Sequence, residues 1–340
     1  MSKRKLTDQQ KERIESRQRE ILQAWETQGD NSGYQRAQIV ARTRSSAILR
    51  TDDGSQRQAA IRQGVAPLAC GDYVLWQHGS QQDHQDTQID AATNSQEVAV
   101  VAVLPRTTVL QRPHSQHGET RPFAANVDCI IIVMAPRPAP RSELLDRYLV
   151  IAEASGIRPV LVYNKSDLFH SRPDSLPAFL DLYTDLGYTA FTTSAKTGNG
   201  LEKLIDFINQ QCVVFAGQSG VGKSTLIQHA VPDQEIQTGQ LSANMKGRHT
   251  TSTSMLYQLP SGGKIIDTPG VRDIAVWHLD RDTVNEGFVE FAAYFGHCKF
   301  SDCQHTHEPG CALKQAVAEE KIDPRRFESY LTILNAEYSH

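Results

Sequence analysis

Gly217-Gln218-Ser219-Gly220-Val221-Gly222-Lys223-Ser224-Thr225 is the stretch from which the fold is read. It matches the pattern G-x-x-x-x-G-K-[ST]. An apolar run, Cys212–Ala216, leads into it, and a helical pattern continues from Thr225 to about Ala230. A strand, a glycine loop and a helix start in that order aim successive backbone N–H groups at phosphate oxygens. The glycines permit a tight loop and close approach of backbone to ligand. Lys223 is placed to reach the outer phosphates of a nucleotide, and the Ser224 hydroxyl to ligate Mg²⁺.

Strand and helix signals alternate on both sides of this loop, which implies an α/β domain with a mainly parallel sheet. Val127–Met134, Pro159–Tyr163, Thr189–Thr193 and Lys264–Ile266 read as strands, and Ser142–Ser155 and Leu201–Ile208 as helices. Two polar motifs follow predicted strands directly. Asn164-Lys165-Ser166-Asp167 comes after Pro159–Tyr163, and Ser194-Ala195-Lys196 after Thr189–Thr193. The Asp167 carboxylate can accept from N1–H and the N2 amino group of guanine, donors that adenine does not present in that arrangement. A site built on that acceptor rejects ATP, because wrong pairing leaves buried polar groups unmet. Asn164 and Lys165 are expected to tether the loop and cover the base. The Ala195 backbone N–H is expected on the guanine oxygen.

Asp267-Thr268-Pro269-Gly270 ends the strand Lys264–Ile266. Asp267 is the expected partner of Mg²⁺ through water, and the Gly270 N–H the expected sensor of a γ-phosphate. Upstream, Gly239–Ser254 is polar and contains His249-Thr250-Thr251. A threonine hydroxyl there would complete the Mg²⁺ shell only when triphosphate is bound, and Thr250 and Thr251 are both candidates. Ras-like enzymes orient the attacking water with a glutamine after the D-x-x-G glycine. Here that position is Val271. Unaided hydrolysis is therefore expected to be slow, with His249 the internal candidate for positioning water. The rival reading is a non-enzymatic, GTP-dependent RNA-binding switch with negligible turnover.

Toward the N-terminus the pattern changes. Five short strands, near Ala37–Val40, Ala47–Leu49, Gln58–Ile61, Tyr73–Trp76 and Val98–Leu104, fit a small β-barrel such as an OB-fold. The polar stretch His78–Glu97 is read as one long loop of that barrel. Residues 1–33 have few apolar anchors and read as a basic, mobile tail, helical in part. Residues 1–62 hold thirteen Lys and Arg against eight Asp and Glu, so a segment of net +5 precedes a body of net −9 in a chain of net −4. That asymmetry suits an anionic partner. Six arginines between Arg36 and Arg62 belong to the barrel and are expected to meet RNA phosphate.

Toward the C-terminus, Cys298, Cys303, His305 and Cys311 cluster, with His297 and His307 flanking. Three thiolates and one imidazole suit tetrahedral, structural Zn²⁺. Cys70, Cys129 and Cys212 read as plain buried thiols. The basic start Met1–Lys5 has no apolar core after it, and the longest apolar run, Cys129–Ala135, is too short to span a bilayer. A cytoplasmic location with no membrane partner is the expectation.

The nucleotide motifs occur in permuted order: Asn164–Asp167 and Ser194–Lys196 precede the phosphate loop at Gly217. Joined termini allow the same sheet to assemble, and the helix Leu201–Ile208 reads as that join. This order, between a β-barrel and a Cys/His cluster, resembles the RsgA family of small-ribosomal-subunit-dependent GTPases, also called YjeQ-type. The resemblance covers nearly the whole chain. It implies an OB-fold over 34–106, a circularly permuted P-loop G domain over 107–275, and a zinc-binding, mainly helical domain over 276–340. It also implies His305 as the histidine ligand, and GTP hydrolysis stimulated by the 30S subunit late in its maturation. The expected partners are the 30S subunit with its rRNA and GTP/GDP, with the chain itself a monomer.

Overall fold

The structure is a computed structural model that describes all residues except 1–7, 44–45, 63, 79–97, 114–119, 169–176, 232–253, 269–278 and 339–340. The described residues form two compact units. One holds the described parts of Met1–Gln111, Thr120–Asn126 and Thr250–Leu256, and the other those of Arg112–Glu119, Val127–His249 and Tyr257–His340.

The first unit is a five-stranded barrel made of β1 (Gln35–Arg42), β2 (Ser46–Thr51), β3 (Gln56–Ile61), β4 (Tyr73–His78) and β5 (Val98–Val103). The order is β1-β2-β3-β5-β4, and pairing of β1 with β4 closes it. Full closure removes the exposed edges that an open sheet of this size would carry. Inward residues of all five strands, among them Ala37, Leu49, Ala59, Trp76 and Val100, make one buried core. Asp72, fully buried, is matched by Arg106 through paired contacts of 2.7 and 2.8 Å. The loop expected over His78–Glu97 lies, from residue 79, outside the described residues.

The helix expected within residues 1–33 is present and packs on the barrel, and a hairpin not read from the sequence follows the barrel. Asp8–Gln28, inside the expected mobile tail, forms a helix, α1, and packs on the barrel. Ile21 is buried with Leu75, Val101 and Ala102, flanked by Leu22 and Trp25, and Gln18 Nε2 donates to the Val101 carbonyl at 2.7 Å. Ile14, Ile21 and Trp25 of α1 are spaced by seven and four, so they fall on one helical stripe. A hairpin, β6 (Val109–Pro113) with β7 (Thr120–Ala125), follows the barrel where no strands were expected. Its second strand exchanges hydrogen bonds with Cys70, through Cys70 N–H to Phe123 O and Ala125 N–H to Cys70 O. By contact, Thr107–Gln111 group with the barrel.

The second unit is built on parallel strands β8 (Cys129–Met134), β9 (Arg158–Tyr163), β10 (Thr189–Thr192), β11 (Cys212–Ala216) and β13 (Lys264–Asp267). Their order is β10-β9-β8-β11-β13. All residues of β8 and β11 are buried, as central strands covered on both faces require. Helices α2 (Ser142–Ala154), α3 (Asp181–Asp185), α4 (Leu201–Ile208) and α5 (Lys223–Ala230) connect or follow the strands. Tyr257 and Gln258, the end of strand β12 (Met255–Gln258), enter β13 through a turn in which the Leu259 N–H meets Gly263 O at 2.7 Å. Strand order reverses between β8 and β11, the crevice where open α/β sheets bind ligands.

The C-terminal residues, α6 (Arg281–Gly287), α7 (Ala312–Ala318) and α8 (Pro324–Tyr338), belong to the same unit as this sheet. Helices α6 and α8 pack on α2. Gly287 comes so close that a Cβ there would sit 2.5 Å from the Val150 Cα. Phe288, Phe291 and Tyr330 are fully buried in one aromatic cluster with edge or tilted ring contacts of 5.0–5.3 Å.

Candidate nucleotide site and metal centre

The phosphate loop leaves β11 at Gly217, where φ is +125° and a Cβ would lie 2.2 Å from the Val133 carbonyl oxygen. Only glycine fits so close to the neighbouring strand. Gly222 repeats the constraint: its φ is +99° and a Cβ would meet Asn164 Nδ2 at 2.3 Å. Between them run Gln218, Ser219, Gly220 and Val221, and α5 begins at Lys223. Lys223 Nζ donates to the carbonyls of Gly217 and Gln218, both at 2.6 Å, and so lies over its own loop. Ser224 and Thr225 are exposed in the first turn. The alignment of Val214 with Ile266 brings Asp267, at the end of β13, to the same edge of the sheet. Gly270, His249, Thr250 and Thr251 lie outside the described residues.

The two base motifs meet each other and the phosphate loop. Asn164 is buried and donates from Nδ2 to the Val221 carbonyl at 2.9 Å. Its Oδ1 accepts from Thr193 Oγ1 at 3.2 Å and from the Ala195 N–H at 3.1 Å. The Lys165 backbone is left-handed, with φ +61°, and its Nζ donates to the carbonyls of Gly220 and Arg137 at 2.6 and 2.8 Å. Ser194 Oγ donates to Asp167 Oδ1 at 2.6 Å, which orients a carboxylate that is otherwise exposed. The Ser166 N–H holds the Thr193 carbonyl at 3.0 Å, and Lys196 is exposed beside them. One hydrogen-bonded frame thus brings a carboxylate, a lysine and a glycine loop together at the carboxyl ends of β9, β10 and β11. A ring with a donor edge suits the carboxylate, and a charged phosphate tail suits the glycine loop.

In the C-terminal region, one donor atom each from Cys298, Cys303, His305 and Cys311 lie within 4.8 Å of one another. Cys298 Sγ is 3.6 Å from His305 Nδ1 and 4.0 Å from Cys311 Sγ, and His305 Nδ1 is 3.4 Å from Cys311 Sγ. Tetrahedral Zn²⁺ ligands stand about 3.4–3.8 Å apart for usual Zn–N and Zn–S bonds, which these three separations approach, and three thiols with one imidazole are a donor set that suits such an ion. Burial and the Cys298 and Cys311 sulfurs push the Cys303 thiol up to about 11, a crowding that a cation relieves. Burial, with the Arg281 charge, lowers the His305 pKa and favours the neutral, ligating imidazole. His307 turns instead to Thr306 Oγ1. Burial lifts Cys212 to about 12, and Cys70, Cys129 and Cys212 are buried single thiols, as expected.

Sequence reading missed a second network. Arg326 reaches Asp146 on α2 at 2.6 Å and Glu290 at 2.6 and 3.1 Å. Tyr183 Oη donates to the same Asp146 oxygen at 2.8 Å. The one sequence signal was a charged residue, Asp146, in the middle of an apolar helical stripe.

A phosphate loop at the switch point, with its base motifs earlier in the chain, defines a circularly permuted P-loop GTPase. The RsgA GTPase family model matches residues 103–277. "Small ribosomal subunit biogenesis GTPase RsgA" from Pseudomonas putida is 39% identical over 351 residues, covering 98% of both chains. The protein of that name from Pseudomonas aeruginosa is 40% identical over 346 residues, again covering 98% of both. Among solved structures, YjeQ from Thermotoga maritima superposes with a TM-score of 0.67 and 26% identity over 90% of this chain and 99% of that one. YloQ, described as a circularly permuted GTPase, gives 0.64 and 27% over 89% and 95%. The chain belongs to the RsgA GTPase family, and its fold is a permuted G domain with an N-terminal OB-fold and a C-terminal helical region carrying a Cys/His cluster that could hold a metal ion. Among the described residues no helix is long and apolar enough to cross a membrane.

Proposed function

We propose that this GTPase acts in biogenesis of the small ribosomal subunit, late in 30S maturation, binding rRNA through its barrel and hydrolysing GTP when docked on the subunit. The observation that carries this is similarity over 98% of the chain to relatives named for small ribosomal subunit biogenesis. In this reading Gly217–Thr225 enclose the phosphates and Lys223 offsets their charge. Asp167 and the Ala195 N–H read the guanine, while Asn164, Lys165, Ser166, Ser194 and Lys196 hold the base loops. Ser224 and Asp267 would hold Mg²⁺, which neutralises charge on the phosphates when bound. Gly270 and one of Thr250 and Thr251 would sense the γ-phosphate. His249 would orient water in place of the glutamine absent at Val271. Cys298, Cys303, His305 and Cys311 would hold one Zn²⁺, which leaves no open coordination position and so serves the fold.

The barrel supports the RNA part of the reading. Arg36 and Arg57 are exposed, and their guanidinium carbons lie 4.1 Å from the Tyr73 ring centroid and 5.5 Å from that of Trp76. Arginines braced on aromatic rings suit phosphate and base contact. A cytoplasmic monomer is the form that fits this role.

Multiple-turnover hydrolysis of GTP and ATP, with and without purified 30S subunits, tests the proposal. Stimulated GTP turnover with little ATP turnover is expected. GTP binding with no stimulated turnover would favour the non-enzymatic switch. Subunit binding should also weaken steeply with salt, as counterion release requires; flat dependence would point to protein contacts instead.

A further inference from the structure

We infer that His229 is a positioning residue for the base site, holding the Ala195 peptide in the pose from which its N–H meets the 6-oxo group of guanine. This rests on the base-site reading above and adds a residue to it. His229 Nε2 lies 2.7 Å from the Ala195 carbonyl oxygen. A carbonyl only accepts, so Nε2 carries the proton, as it does in one neutral tautomer and in the imidazolium.

The position of His229 gives this contact its meaning. It stands in the last turn of α5, the helix that begins at Lys223. Six residues of helix place it about 9 Å beyond the phosphate-loop lysine. Ala195, 8% exposed, is anchored at both ends: its N–H meets Asn164 Oδ1 at 3.1 Å and its carbonyl meets His229. Asn164 in turn holds the Val221 carbonyl at 2.9 Å. The base loop is therefore tied to the phosphate-loop segment on both sides of Gly222-Lys223, once through Asn164 and once through His229. The N–H and carbonyl of Ala195 flank one Cα, so fixing the carbonyl limits the rotation open to the N–H. That N–H already donates to Asn164 Oδ1, so a guanine 6-oxo group would share it as a second acceptor. Released from His229, Ala195 keeps only the Asn164 anchor, and the N–H direction on which discrimination by the 6-position depends is held less firmly, where adenine carries an amino donor and guanine an acceptor.

The test compares His229→Leu, which removes the donor, with His229→Gln, whose amide nitrogen has similar reach. Isothermal titration with GDP, ADP and 6-thio-GDP reads the effect. The thio analogue keeps both donors for Asp167 but replaces the 6-oxo acceptor with a weak one. His229→Leu should weaken GDP about fivefold, as loss of one hydrogen bond implies, and weaken 6-thio-GDP less than twofold. His229→Gln should bind GDP as the parent does. Retained 6-thio-GDP binding shows that the Leu variant is folded. GDP affinity within twofold of the parent, equal loss for both nucleotides, or failure of Gln to restore binding would each overturn the inference. Parent protein that binds ADP as well as GDP would instead overturn the base-site reading itself.

Discussion

Arg326 and Asp146, 180 residues apart in the chain, form a 2.6 Å salt bridge with side chains only 1% and 0% exposed. The arginine also holds Glu290 and lies 4.3 Å from the Phe288 ring centroid. Its charge is favoured strongly, since two carboxylates outweigh the cost of burying the guanidinium. The pair ties the last helix to α2, the helix between β8 and β9, and so joins the cysteine-bearing region to the nucleotide-binding sheet.

Arg326→Met should lower stability by about 3–5 kcal/mol, because Asp146 is left buried without its counter-charge. Removing Asp146 and Glu290 as well, as Asp146→Leu and Glu290→Gln, should recover much of the loss. Denaturant unfolding checks both. A loss below about 1 kcal/mol for the single variant would mean that the pair is not the tie proposed.

Asp167→Asn should weaken GDP about 100-fold, since it removes a charged acceptor from two guanine donors. Xanthosine diphosphate should gain affinity, because its 2-oxo group can accept from the new amide. Competition binding with both nucleotides measures the exchange. Unchanged GDP affinity would remove Asp167 from base recognition.

Gly222→Ala should lose nucleotide binding while the protein stays folded. The new Cβ would meet Asn164 Nδ2 at 2.3 Å in a backbone with φ +99°. The tie from Asn164 to Val221 must then break or the loop must move. Circular dichroism melting alongside GDP titration separates the two effects, and normal GDP binding would contradict the geometry.

Elemental analysis should find one zinc per chain, and cobalt replacement should give the visible absorption of a tetrahedral thiolate site. Chelation should lower the melting temperature, since the donors lose the ion that holds them together. Cys311→Ser should do the same. A chain that binds no zinc and melts unchanged with chelator would exclude a structural metal.

Glu308 supplies a pH signature. Hydrogen bonds from its own N–H and from those of Gln304, Thr306 and His307 hold its carboxyl at about 2. The folded value lies below the unfolded one, so its contribution is complete above the unfolded pKa near 4.5 and fades as pH falls through about 2. Glu308→Gln should flatten that part of the stability profile, which acid titration of unfolding can follow. The same slope in the parent and the variant would remove Glu308 from the effect.

The sequence alone determined the local machinery. Gly217–Ser224, Asn164–Asp167, Ser194–Lys196 and the Cys298–Cys311 cluster are short stretches whose backbone geometry and chemistry depend on adjacent residues. The strands around them were legible because buried parallel strands are nearly continuous apolar runs, as in Cys129–Met134 and Cys212–Ala216. Only the tertiary structure decided what joins these parts. It packed Asp8–Gln28 on the barrel, put the strand Thr120–Ala125 beside Cys70, and set Arg326 on Asp146 and His229 on Ala195. Such pairings come from long-range packing, where burial makes an unmatched charge or carbonyl costly and a distant partner resolves it. No local period in the chain encodes which partner that is.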